Sequence, residues 1–256
     1  MTPLLIKKSI FNIRMLVVTL LSFTILFASL ITNGTLSHGI NNLRGAYDLL
    51  LLYTIPFAYS SFVIFAGLFP GIPYAYSYLE ERNSGYLKFI QLRLPRNRYI
   101  RQKIFYSGLS GGLSMLIPGV MIFIVIDFLS MDTSPAHHAT IFDQLIWAPY
   151  IYIWGGRFVL LLKAILLFLF GVMWSELSLL ISQIFKNKYV AYILPFLLYQ
   201  ACWVSDIIDG SFNPVYLVRS DWEAGSPIYA PFLILIGYIV LFICLNIITF
   251  KRQGRK

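Results

Sequence analysis

The sequence predicts an all-α membrane protein with six transmembrane helices, an N-terminal amphipathic helix in the interface and a short cytoplasmic helix between spans two and three. Two observations carry this. Hydrophobic residues make up 58% of the 256-residue chain and charged ones only 12%, with a mean hydropathy of +0.74. A soluble domain carries roughly a quarter charged residues and about half apolar ones. In addition, the apolar residues gather into six stretches, most of them near the roughly 20 residues that a helix needs to cross a bilayer. The 21 Phe and 17 Tyr fit the same environment. Tyr and Trp favour the membrane–water boundary, where one end of the ring is apolar and the other wet.

The spans fall at residues 15–31, 49–74, 104–126, 158–184, 190–204 and 228–250, all within one transmembrane domain covering residues 1–256. The second is interrupted by Pro56, Pro70 and Pro73, and the fifth is short and contains Pro195. The third carries Gly108, Gly111, Gly112 and Pro118. Small residues of this kind let a neighbouring helix approach closely. Residues 4–14 mix Leu4, Leu5, Ile6, Ile10, Phe11 and Ile13 with Lys7, Lys8 and Arg14, the pattern of a helix lying in the inner interface. Lys7 and Lys8 before an apolar run also resemble a secretory signal peptide, but with five more spans behind it the run reads as a retained helix.

Lysine and arginine set the orientation. With both termini in the cytoplasm, 16 of the 20 basic residues lie inside: three before span one, seven between spans two and three, two between spans four and five, and four after span six. Only Arg44, Arg157, Lys163 and Arg219 remain outside or near an outer end. That asymmetry obeys the positive-inside rule, and it accounts for the net charge of +9 without nucleic acid as a partner. Cys202 and Cys244 both lie in apolar runs and indicate no disulfide framework.

The most informative stretch is residues 78–103, YLEERNSGYLKFIQLRLPRNRYIRQK. Glu80 and Glu81 open it, with Arg82 next; Gly85 breaks the helical path; Leu87, Phe89, Ile90, Leu92 and Leu94 give an apolar surface; Pro95 ends it. Arg98 and Lys103 then lead into span three. On charge alone, a basic loop binding membrane lipid phosphates is the better explanation of the stretch.

These residues resemble the cytoplasmic coupling region of type 2 ATP-binding-cassette (ABC) transporter permeases. The acidic-plus-Arg start at Glu81 and Arg82, Gly85, the apolar helix 87–94, Pro95, Arg98 and Lys103 follow that family's order, with a Gly-to-Pro spacing about one residue longer than in common members. Residues 177–199 resemble the family's junction between spans four and five. Residues 213–220 resemble its external re-entrant turn. The resemblance implies a permease subunit of an exporter in a bacterial plasma membrane. It also implies an ABC ATPase subunit as partner and a second permease subunit, in a homodimer or a heterodimer. Glu80, Glu81, Arg82, Gly85, Phe89, Leu92, Pro95 and Arg98 would then be the ATPase-coupling residues. No G-x-x-x-x-G-K-[ST] phosphate loop occurs. The chain is therefore expected to be non-catalytic and to hold no cofactor, with ATP and Mg on the partner. Its substrate would be amphipathic or hydrophobic: a peptide, drug or lipid. A polytopic scaffold or assembly subunit, and an intramembrane enzyme, remain the alternatives.

Within the spans, Glu176 is a functional candidate, because an ionisable group at that depth is expensive. It would bind a cationic substrate, pair with another helix, or reach water or Lys186 and Lys188 near the boundary. Lys163 is expected to snorkel to the outer interface. His137 and His138, near Asp132 and Asp143, lack the spacing of a metal site.

Overall fold

The computed structural model describes residues 9–32, 61–129, 154, 156–204, 213, 215 and 228–253. These residues form an all-helical bundle without strands. Eight helices carry labels here: α1 (Ile13–Thr32), α2 (Ser61–Phe65), α3 (Ser77–Asn83), α4 (Tyr86–Arg93), α5 (Arg96–Leu129), α6 (Gly156–Ile184), α7 (Lys188–Val204) and α8 (Ala230–Gln253). Four of them, α1, α5, α6 and α8, are long and apolar enough to cross a membrane, which makes this a multi-pass membrane protein.

The start of α1 is fixed by a side chain. Asn12 Oδ1 accepts the N–H of Met15 at 2.7 Å, satisfying one of the donors a helix start leaves open. The Asn12 amide also donates to the Pro73 carbonyl at 3.0 Å, tying this end of α1 to a distant turn. The expected interfacial helix over 4–14 is therefore cut short. Residues 10–12 bend, and Ile13 and Arg14 already belong to α1; residues 4–8 lie outside the described part.

The expected second span, 49–74, differs most. Residues 49–60 lie outside the described part, and the remainder is not one helix. After α2 come a turn, a 3-10 turn over Phe69–Gly71 and further turns up to Ser77. A continuous helix would need the N–H groups that Pro70 and Pro73 lack. The broken backbone also lets Gly67 lie against the Tyr199 ring, where any Cβ would collide. The fifth predicted span becomes α7, 17 residues with Pro195 inside. At about 1.5 Å per residue that is about 26 Å, just under the roughly 30 Å of hydrocarbon. The third span lengthens to 34 residues, because Pro95 starts the helix well before Ile104. Leu94 is extended, as a residue before proline prefers. The Pro95 carbonyl then takes the N–H groups of Arg98 and Tyr99 at 2.9 and 3.1 Å.

Helix α6 is the centre of the bundle and packs on α3, α5, α7, α8 and the 3-10 turn. Its closest neighbour is α5. A Cβ at Gly111 would collide with Ser175 Cβ and lie 2.7 Å from the Gly171 carbonyl oxygen, while one at Gly171 would collide with the Gly111 carbonyl. Absent side chains thus let the two backbones touch, and dispersion over that contact replaces the hydrophobic drive that lipid cannot supply. Ser175 Oγ donates to the Ser107 carbonyl at 2.7 Å and lies 3.0 Å from Ser107 Oγ. Phe170, Trp174, Tyr199, Phe62, Phe69 and Met115 fill the core beside this seam. Helix α8 buries little of its surface and turns Leu233, Ile236, Val240 and Ile248 outward, as a lipid-facing helix does.

Candidate functional site

The stretch 78–103 folds as a short helix set between two backbone breaks. Gly85 has φ +73°, in the left-handed region that glycine enters without strain. Helix α4 follows and stops at Leu94, ahead of Pro95. Its periodicity divides it into two faces. Leu87 and Ile90 pack against a cluster containing Tyr78, Tyr99, Ile100, Ile104 and Phe250, and Leu94 is buried. On the other face Tyr86, Phe89 and Leu92 stand exposed, Phe89 at 64% and Leu92 at 84%. This apolar pair stands open at an end of the bundle rich in Arg and Lys.

Polar side chains of α3 and α5, the helices on either side of α4, brace this end of the bundle. Glu81 is buried and its Oε2 accepts from Tyr99 Oη at 2.7 Å and from Lys103 Nζ at 3.0 Å. Lys103 also donates to Ser77 Oγ at 2.7 Å and sits 4.5 Å from the centre of the Tyr74 ring. A buried acid and a buried base thus satisfy each other, which burial of either alone would not permit. Glu80 pairs with Arg14 of α1 at 2.8 Å, half exposed. Arg82 Nη1 donates to the Gln183 carbonyl at 2.9 Å and Asn83 Nδ2 to the Lys186 carbonyl at 3.2 Å. Arg96 Nη2 donates to the Phe250 carbonyl. Tyr78 stands edge-on to Phe250 at 4.9 Å. Burial pushes its phenol above the usual value, with Arg82 and Arg96 pulling the other way.

The residues read from sequence as one coupling surface therefore divide. Phe89, Leu92, Pro95 and Arg98 are exposed. Gly85 shapes the turn. Glu80, Glu81 and Arg82 face inward or sideways and hold α3 to α1, α5 and α6. Arg96 also has a structural bond, so it is more than a surface charge. Tyr99 and Lys103 as partners of Glu81 were not singled out by sequence reasoning. The usable signal was their spacing from Pro95, four and eight residues on, which sets both on one face of α5.

Glu176 lies on α6 at 1% exposure. Asn246 of α8 donates from Nδ2 to Glu176 Oε2 and to its carbonyl, each at 3.0 Å, and the Asn246 Oδ1 accepts from Gln183. Glu176 does not reach water or Lys186 and Lys188, both of which are exposed; the helix crossing with α8 covers it. Lys163 is buried, at 4% exposure. His137 and His138 and most of residues 213–220 lie outside the described part. Among the described residues no group of His, Cys, Asp or Glu is arranged to hold a metal.

No family model matches the chain, and no curated protein or solved structure does.

Proposed function

We propose that this chain is the transmembrane permease subunit of an ABC exporter, driven by a separate cytoplasmic ATPase subunit. The observation that carries the reading is helix α4. It is set off by a left-handed glycine and a proline, packed on one face and apolar and open on the other through Phe89 and Leu92. A lipid anchor needs basic charge and tolerates many shapes. A mechanical coupler needs a defined ridge joined stiffly to a membrane helix, and α4 is joined to α5 through Leu94 and Pro95 and to α3 through the turn at Gly85, while the Glu81–Lys103 pair locks α3 onto α5.

On this reading the chain has six spans with both termini in the cytoplasm of a bacterial cell, and pairs with a second permease. ATP closes the ATPase dimer, the docked α4 helices move with it, and α5 carries that motion across the membrane. The chain itself holds neither ATP nor Mg. Residues 61–76 do not form one continuous helix, and α5 is the helix that leads directly from α4 into the membrane. An amphipathic or hydrophobic substrate suits the apolar helices.

The experiment is purification of the tagged chain from its native membrane, followed by identification of what comes with it and measurement of ATP turnover. A stoichiometric second chain bearing a phosphate loop, with turnover confined to that chain, is the expected result. Robust ATP hydrolysis by this chain alone, or its isolation with no ATPase, would overturn the proposal.

A further inference from the structure

The acid within α6 points beyond coupling. Helices α5, α6 and α8 enclose a groove of about 370 Å³, lined by Phe105, Gly108, Phe168, Val172, Ile243 and Glu176. That volume lies at the lower end of the range of small-molecule sites. Its walls are almost wholly apolar, and its one acidic group is the Glu176 carboxyl at the floor. Arg101 stands at one end of the groove, exposed and five residues into α5. We propose that this groove binds a lipophilic monoamine, with the ammonium against Glu176 and the apolar body between Phe105 and Phe168.

Three features of the site support that occupant. First, the carboxyl is 1% exposed yet has no basic partner among the described residues, whose ion pairs are Arg14–Glu80 and Lys103–Glu81. A carboxyl so buried is either neutral or paired with a cation, and an ammonium would supply that cation. Asn246 serves Oε2 but supplies no charge. Second, a missing side chain lets Oε1 lie close against α5, which fixes the carboxyl at the groove wall. A Cβ at Gly108 would lie 3.1 Å from Oε1 and 3.2 Å from Val172 Cγ1. Third, the depth selects the ligand's shape. Glu176 is eight residues, about 12 Å, from the end of α6 at Ile184. A zwitterionic lipid reaching it with its amine would draw the adjoining phosphate to the same depth, away from water. A ligand whose only polar group is the amine has no such burden. The use of this site for transport rests on the exporter reading; binding to it does not.

Equilibrium binding of radiolabelled decylammonium to the full-length protein in phosphatidylcholine nanodiscs at neutral pH tests the site, with decanol as the uncharged control. Wild type should show one saturable site per chain for decylammonium and none of comparable affinity for decanol. Glu176→Gln should weaken decylammonium binding tenfold or more. Gly108→Ala, which keeps the carboxyl but crowds Oε1, should weaken it several-fold. If Glu176→Gln fails to fold, Gly108→Ala decides alone, and an unchanged affinity there overturns the proposal. It is equally overturned if Glu176→Gln folds and binds as wild type, if decanol binds as tightly as decylammonium, or if exchanging phosphatidylcholine for phosphatidylethanolamine abolishes binding, which would make the occupant a lipid. Saturable amine binding by a chain that associates with no ATPase would sink the exporter reading and leave the site standing.

Discussion

Phe89→Ala separates a docking residue from a packing residue. A phenylalanine side chain offers roughly 200 Å² of surface, and 64% of Phe89 is exposed, leaving about 130 Å² for a partner to cover. At about 25 cal/mol per Å² that area is worth about 3 kcal/mol, in the range of an interface anchor. Loss of the ring should therefore weaken ATPase binding on the order of 100-fold. The fold should barely change, because the exposed part of the ring supports nothing within the chain. Ile90→Ala is the mirror control. Ile90 packs against the Tyr78–Phe250 cluster, so its truncation should lower stability by on the order of 1–2 kcal/mol, below the range for a fully buried site. The assays are ATPase affinity by titration in nanodiscs and unfolding midpoint for both variants. If Phe89→Ala destabilises the chain as much as Ile90→Ala and leaves ATPase affinity unchanged, α4 is a packed loop and no docking ridge.

Other perturbations test the brace, the turn, the seam and the topology. Lys103→Met or Glu81→Gln alone should destabilise by about 3–5 kcal/mol, and the pair together by distinctly less than the sum, since each single change strands a buried charge; denaturation of both singles and the double decides it. Gly85→Val should cost about 1–2 kcal/mol and impair transport more than Gly85→Asn, because asparagine tolerates the left-handed region and no atom lies within 4 Å to be struck by a new Cβ. Arg98→Gln, an exposed charge change, should do less harm than Gly85→Val in the same transport assay; the reverse order would make the segment an electrostatic anchor. Gly111→Leu should prevent correct folding, since the added atoms meet Ser175 and the backbone of α6; a well-folded variant by size exclusion would refute the close contact. A cysteine at position 90 should resist an impermeant outside label and one at position 137 should accept it, and the opposite pattern would invert the orientation.

What sequence could reveal depended on how local the signal was. The helical class and the placement of α1, α5, α6 and α8 rest on apolar runs, which the bilayer imposes residue by residue. The turn at Gly85 and the stop at Pro95 were legible because glycine and proline act through their own backbones. The broken path over 61–76 was only half visible. Pro70 and Pro73 announced a disturbance, but whether a helix kinks or ends depends on what packs there, here Tyr199 and Ser178 against Gly67 and Gly71. The inward roles of Glu81 and Lys103 were hidden for a similar reason. Twenty-two residues separate the two, and a charge pattern carries no information about which pairs close on each other. Glu176 was noticed for its depth, but Asn246, 70 residues away, shows only in the packed bundle.

The length of α5 has a kinematic consequence. Its 34 residues span about 51 Å, well beyond the roughly 30 Å of hydrocarbon. Pro118 lacks the N–H that would tie it to the preceding turn, so it is the natural fulcrum of the rod. Residues 96–117 form an arm of about 33 Å on the α4 side, and residues 119–129 one of about 16 Å on the other. If the rod stays straight through the proline, pivoting there makes it a reducing gear: a sideways stroke at α4 would reappear at the far end at about half the amplitude and in the opposite direction, with up to twice the force.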